Sequence, residues 1–418
     1  MSDYFLTLIN TIMIRKTLNL KTLSLLMIAL LLSCSKDKIA DQPKHIQEIA
    51  KQTKGEFITL ESGATVEKRG ENYFIEGDIL LTPSQFELIK TNNSFEAVAK
   101  EDLDQPYQNA SPASSGRLFR TNPNTKSVGV HPNENRMWAM VRYTVNSNVS
   151  AGARLAISAA IQHIESTTNI RFYNATGQPT YDSQWGFYYP YIEFFHGTST
   201  NPSAWNAEGN WSTVGRWDAV KNPGTQGRGD AGQWLSLQQD ESMGPFLPSF
   251  SVPMGVVAHE IMHAISLYHE HTRPDRDNTI TVHPDRCRLT GDDYKTNFDK
   301  RTGNYFMFGS SVDLNSIMMY GMTDFAKDAN FPVITLNAGG TYPVNRTALS
   351  DLDRSYANYF YLPYIARSDV YRELAPTVYK SDNTVMTAQE RSSLQAYLNN
   401  GNPNPPNCCR LTNNHTNL

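Results

Sequence analysis

Four of the ten histidines in this 418-residue chain fall in one short stretch, between His259 and His271. No other feature constrains the fold as much. The stretch reads His259-Glu260-Ile261-Met262-His263-Ala264-Ile265-Ser266-Leu267-Tyr268-His269-Glu270-His271-Thr272-Arg273-Pro274-Asp275-Arg276-Asp277. On a helix, residues four apart share a face, so His259 and His263 can offer imidazole nitrogens to one metal ion at about 2.0–2.1 Å. Glu260 then stands beside the metal, where a general base for an activated water is needed. His269 lies too far along for the same helical face. The helix must therefore end near Ser266, and the chain must turn back to bring in a third ligand. Two solvated histidines on an ordinary helix surface are the plain alternative, which the additional His269 disfavours.

Periodicity supplies the frame around this helix, predicted over 256–265 with Val257, Ile261 and Ala264 or Ile265 facing the core. Residues 140–145 and 191–195 alternate as strands, and 234–237 reads as another. Between them Ile157, Ala160, Ile161 and Ile164 repeat at helical spacing, with Ser150 placed to cap the helix. Ser350 and Asp353 open a third helix to Tyr361, and Thr387 with Glu390 opens a short one near the end. Residues 57–79 are strand-like. Residues 104–135, with Pro106, Pro112, Pro123 and Pro132, form a linker in which Arg117, Arg120 and Lys126 are open to proteases. The fold class is α+β.

The stretch from His259 to Asp277 resembles the motif of the astacin family of metzincin zinc peptidases, HExxHxxGxxHExxRxDRD, at every position but one. Ser266 stands where the family has Gly; a side chain in a left-handed helix cap costs roughly 1–2 kcal/mol. Ser316-Ile317-Met318-Met319-Tyr320 resembles the family's Met-turn, with Met319 in place of His. Residues 210–215 and 232–237 are similar to the substrate-binding edge strand and its neighbour, and 349–361 to the closing helix. Glu76-Gly77-Asp78-Ile79 is similar to the pro-segment motif FEGDI.

The resemblance, to a bacterial member with a pro-segment, implies a twisted mixed sheet and two long helices above an irregular lower subdomain, with zinc in the cleft between. It implies one catalytic Zn2+ held by His259, His263, His269 and, at rest, Tyr320. Glu260 is then the base, Tyr320 the group that swings to the oxyanion, and Met318 the floor under the metal. Asp78 blocks the metal in a latent precursor until an activating protease cuts near residues 117–130. Glu270 receives the freed amino terminus, and Arg273, Asp275, Arg276 and Asp277 form a structural ion network. The implied activity is a zinc-dependent endopeptidase acting on extended protein or peptide substrates. A catalytically silent zinc-binding adhesion or binding module on the same scaffold is the alternative, disfavoured by intact His259, Glu260, His263, His269 and Tyr320. A thermolysin-like enzyme with a Glu ligand is disfavoured by His269.

Composition excludes other partners. Lys plus Arg number 37 against 41 Asp plus Glu, a net charge of −4, so no basic excess exists to neutralise nucleic-acid phosphates. The apolar run from Leu23 to Leu32 is shorter than the about 20 residues needed to span a membrane. Arg15, Lys16 and Lys21 precede it and Leu31-Leu32-Ser33-Cys34 ends it, the layout of an export signal whose end resembles a bacterial lipobox. Lipidation at Cys34 is the expected membrane attachment. The protein is then an outer-membrane or cell-surface lipoprotein, or is secreted after processing. Cys287, Cys408 and Cys409 leave room for one disulfide to the tail. The expected division is 1–33 signal peptide, 34–126 tether and inhibitory pro-segment, 127–362 protease domain, and 363–418 an extension of unassigned role.

Overall fold

The computed structural model describes residues 55–92, 129–130, 140–196, 210–215, 232–237, 253–301, 305–306, 309–412 and 418, leaving aside 71, 82, 183–186 and 190. The leader, Cys34, and the linker positions Arg117, Arg120 and Lys126 lie outside these residues. No helix among the described residues is long and apolar enough to cross a membrane.

A nine-stranded mixed sheet forms the spine. Its strands are β1 (Glu56–Thr59), β2 (Thr65–Arg69), β3 (Asn72–Ile75), β4 (Ile79–Leu80), β5 (Val141–Val145), β6 (Phe172–Asn174), β7 (Tyr191–Phe195), β8 (Trp211–Thr213) and β9 (Gly232–Ser236). Their spatial order is β1-β2-β3-β4-β8-β9-β7-β5-β6. β6, β5, β7 and β9 run parallel to their neighbours, and β8 turns antiparallel to β9. β4 then joins β8 in parallel, aligning Ile79 with Ser212 and Leu80 with Thr213, and carries the antiparallel meander β1–β3 with it. Residues 55–92 also include helix α1 (Pro83–Asn92), which sequence periodicity did not indicate. Val66, Ile75, Ile79, Leu81 and Ile89 of this region share one cluster with Val214 and Tyr268.

Two helices cover the sheet. Helix α2 (Ala151–Thr167) is capped as expected, Ser150 Oγ accepting the Ala153 N–H at 3.2 Å. It buries Ala153, Ala156, Ile157, Ala160, Ile161 and Ile164, each isoleucine contributing about 1.5–3 kcal/mol. Helix α3 (Met254–Ala264) carries the first two site histidines and is buried on every side from Gly255 onward. A Cβ on Gly255 would lie 1.6 Å from the Arg346 carbonyl oxygen, so only glycine admits this close approach. With 17 and 11 residues the two helices differ in length, and only α2 is long.

The lower half is irregular, as expected: short 3₁₀ turns, the paired segments Ile280–Val282 and Ile334–Leu336, helix α4 (Gly291–Phe298) and helix α5 (Asp351–Phe360). Past Leu362 the chain forms a small unit with helix α6 (Ala388–Leu398) and a cluster of Leu374, Val378, Met386 and Leu394. Both expected capping boxes, Ser350 with Asp353 and Thr387 with Glu390, are present. The tail disulfide is not. Cys287, Cys408 and Cys409 are free thiols; Cys287 is buried in the lower core with Leu289 and Phe298, while the other two are exposed.

Candidate metal centre

Helix α3 ends where the metal argument requires. Ser266 takes φ +93°, its N–H bonds the His263 carbonyl at 2.8 Å, and the Leu267 N–H bonds the Met262 carbonyl at 3.0 Å. This pair of bonds is the Schellman stop usually built on glycine. The chain then doubles back and brings His269 to His259, their Nε2 atoms 3.1 Å apart. Bonds of about 2.0–2.1 Å to one tetrahedral ion put ligand atoms at about this separation.

The outer nitrogen of each ring is committed. His259 Nδ1 donates to the Ile317 carbonyl at 2.8 Å, His263 Nδ1 to the Leu267 carbonyl at 2.7 Å, and His269 Nδ1 to Glu76 Oε2 at 2.9 Å. All three Nε2 atoms therefore face inward as lone-pair donors, the arrangement that fixes tautomer and ring orientation in metal sites. Asp78 completes the group, its carboxylate oxygens 3.7, 3.8 and 3.3 Å from the Nε2 atoms of His259, His263 and His269. His263 Nε2 and Asp78 Oδ1 are buried without a hydrogen-bond partner.

Charge asks for a cation at the same point. Burial disfavours protonation of His259 and His263, taking His263 down to about 3. At His269 burial acts in the same sense, but the Asp78 and Glu76 carboxylates outweigh it and raise the group to about 9. Three convergent imidazoles and one carboxylate, two of whose buried atoms have no other partner, fit one zinc ion.

Beside this set, Glu260 is buried, and its Oε2 has no hydrogen-bond partner. Burial first, and then the Asp78 charge, push its carboxyl well above the usual range. Met318 is fully buried, and its carbonyl accepts the Glu270 N–H at 3.1 Å, tying the Met-turn to the segment after His269. Tyr320 is engaged by residues 55–92, its hydroxyl donating to the Glu76 carbonyl at 3.0 Å. His271, outside the expected ligand set, stacks on the Tyr320 ring at 3.9 Å and bonds the Asn297 carbonyl through Nε2 at 2.8 Å.

The expected ion network is half buried. Arg273, with 0% exposure, grips Asp275 through Nε at 2.8 Å and Nη2 at 2.9 Å, and lies 3.7 Å from Glu270. Arg276 is buried and donates to the His271 carbonyl at 2.6 Å, whereas Asp277, 62% exposed, pairs outward with Lys300. Glu270 accepts the Asp313 N–H at 3.1 Å, and burial, opposed by Arg273, raises it to about 8. Sequence reasoning missed Glu76, Arg301 and Asp353 as contributors. Glu76 stood inside the motif already singled out for Asp78, but nothing marked its distant partner Arg301.

Residues 247–362, which hold all three histidines and the Met-turn, match the family model of the Astacin peptidase family. The chain carries an astacin-family zinc metalloprotease domain. Flavastacin of Elizabethkingia meningoseptica is 40% identical over 26% of this chain and 23% of its own length. Protein SpAN of Strongylocentrotus purpuratus is 32% identical over 54% of this chain and 32% of its own length. The chain thus spans less than a third of these curated relatives. Among solved structures, High choriolytic enzyme 1 (HCE-1), a hatching enzyme zinc-protease from Oryzias latipes (medaka fish), aligns with TM-score 0.41 and 21% identity, covering 56% of this chain and 98% of that one. The expected fold class, an α+β metzincin with a mixed sheet, is the one observed.

Proposed function

We propose that the chain is the latent precursor of a zinc endopeptidase, with residues 34–126 as tether and inhibitor and 127–362 as the enzyme. The observation that carries this is the placement of Asp78 among the Nε2 atoms of His259, His263 and His269. Those three histidines are the proposed metal ligands. When bound, zinc supplies Lewis acidity, lowering the pKa of water and polarising a carbonyl.

Glu260 takes the proton from the attacking water and passes it to the departing amine, a role suited to a carboxylate without another hydrogen-bond partner. Tyr320, released from Glu76, donates its hydroxyl to the oxyanion. An extended substrate pairs with β8, the strand now covered by β4. Asp78 restrains the site twice: it fills the open ligand position, and its charge keeps Glu260 protonated. Met318, Glu270, Arg273, Asp275, Arg276 and Asp277 hold the floor and the segment behind His269.

Cutting near residues 117–130 releases this block. Export through the 1–33 leader, with lipidation at Cys34 as the membrane attachment, is part of the same proposal. Glu260→Gln tests the chemistry: in the activated chain kcat should fall by about 10²–10⁴-fold with zinc content unchanged. Undiminished cleavage of a fluorogenic peptide by that variant would remove Glu260 from the mechanism.

A further inference from the structure

Asp78 is not the acidic residue most deeply embedded in the catalytic half; Glu76 is. Its side chain is fully buried, Oε1 accepting Arg301 Nε at 2.6 Å and Oε2 accepting His269 Nδ1 at 2.9 Å and the His269 N–H at 3.1 Å. Its own N–H donates to the Thr296 carbonyl at 3.0 Å, and its carbonyl accepts the Tyr320 hydroxyl at 3.0 Å. The oxygens of Asp78, in contrast, lie 3.3–3.8 Å from the imidazole nitrogens.

The backbone is bent to make this fit. Glu76 sits at φ +54°, a left-handed conformation that costs a side-chain-bearing residue about 1–2 kcal/mol and persists only where the surroundings impose it. Gly77 follows at φ +84°, where a Cβ would stand 2.7 Å from Asn297 Oδ1. The two residues turn the chain so that Glu76 enters one pocket and Asp78 reaches the histidines.

We propose that Arg301, His269 and Tyr320 form a carboxylate-binding pocket that holds Glu76 as a second, metal-independent anchor of the inhibitory segment. The inference rests on the latent-precursor reading. The pocket takes a peptide carboxylate, and filling it also withdraws the Tyr320 hydroxyl from any oxyanion. Asp78 depends on the metal for its grip, whereas Glu76 is held by a guanidinium and two N–H groups that remain when the metal is gone.

Hydrogen exchange on the full-length precursor, with and without a zinc chelator, tests this, with peptides from α2 as the internal control for folding. Wild type keeps the amides of 73–81 protected after chelation. Glu76→Gln and Arg301→Gln exchange there at least about tenfold faster once zinc is removed, the double variant no faster than either single one, while α2 stays protected. Glu76→Asp, which keeps the charge but retracts it, gives an intermediate loss. Wild-type protection in the chelated variants would overturn the anchor, as would loss of protection in chelated wild type. A precursor that cleaves a fluorogenic peptide while 73–81 stays protected would refute latency and leave the anchor standing.

Discussion

Ser266 isolates the energetic consequence of a single side chain. It occupies a left-handed position, its buried hydroxyl has no hydrogen-bond partner, and its backbone still makes both bonds of the helix stop. Ser266→Gly should therefore stabilise the protein by about 1 kcal/mol in denaturant unfolding, because glycine adopts this φ without the steric penalty. A loss of stability would mean that the hydroxyl has a role the contacts do not reveal. At this scale the sequence is highly informative where spacing carries chemistry. The interval from His259 to His263 and the need for a turn before His269 follow from helix geometry alone. It is silent on Glu76 with Arg301, 225 positions apart, since no local pattern records which cation a buried carboxylate will meet.

The Met-turn and helix α5 are coupled through one carboxylate. Asp353 accepts Ser316 Oγ at 2.6 Å, the Ile317 N–H at 2.9 Å and the Ser350 N–H at 3.0 Å, so it closes the capping box and fixes the turn together. The Ile317 carbonyl then orients His259. Asp353→Ala leaves these buried donors unpaired and should destabilise the fold by about 3 kcal/mol in thermal or denaturant melts. It should also weaken zinc binding by about 10–100-fold in competition with a chromophoric chelator, the usual cost of losing a ligand's orienting partner. Unchanged zinc affinity would restrict Asp353 to capping. The pattern Ser350-x-x-Asp353 makes the helix start legible from the residues alone. The second use of the same carboxylate depends on a contact 37 residues away, which capping preference does not encode.

Across the molecule, the tail after Leu362 ties together parts that have no disulfide among the described cysteines. Asn169, just past α2, accepts the Tyr379 N–H at 2.8 Å, donates to the Tyr379 carbonyl at 2.8 Å, and bonds the Asn358 side chain of α5 through its N–H at 2.7 Å. Leu418 packs against the main core. Deleting 363–418 should lower the melting temperature by about 5 °C or more in calorimetry, and an unchanged melting temperature would make the tail a passive appendage. Thr387 and Glu390 mark the tail's helix in the sequence, but nothing there marks where the unit docks, because docking rests on side-chain amides 210 positions apart. The whole account turns on residues 76–78 closing a competent zinc site. It is tested most directly by the cleavage rate of a fluorogenic peptide before and after the zinc-loaded precursor is cut within 117–130. The intact chain should be silent and the cut chain active; equal rates in the two forms, or a cut chain as silent as Glu260→Gln, would contradict it.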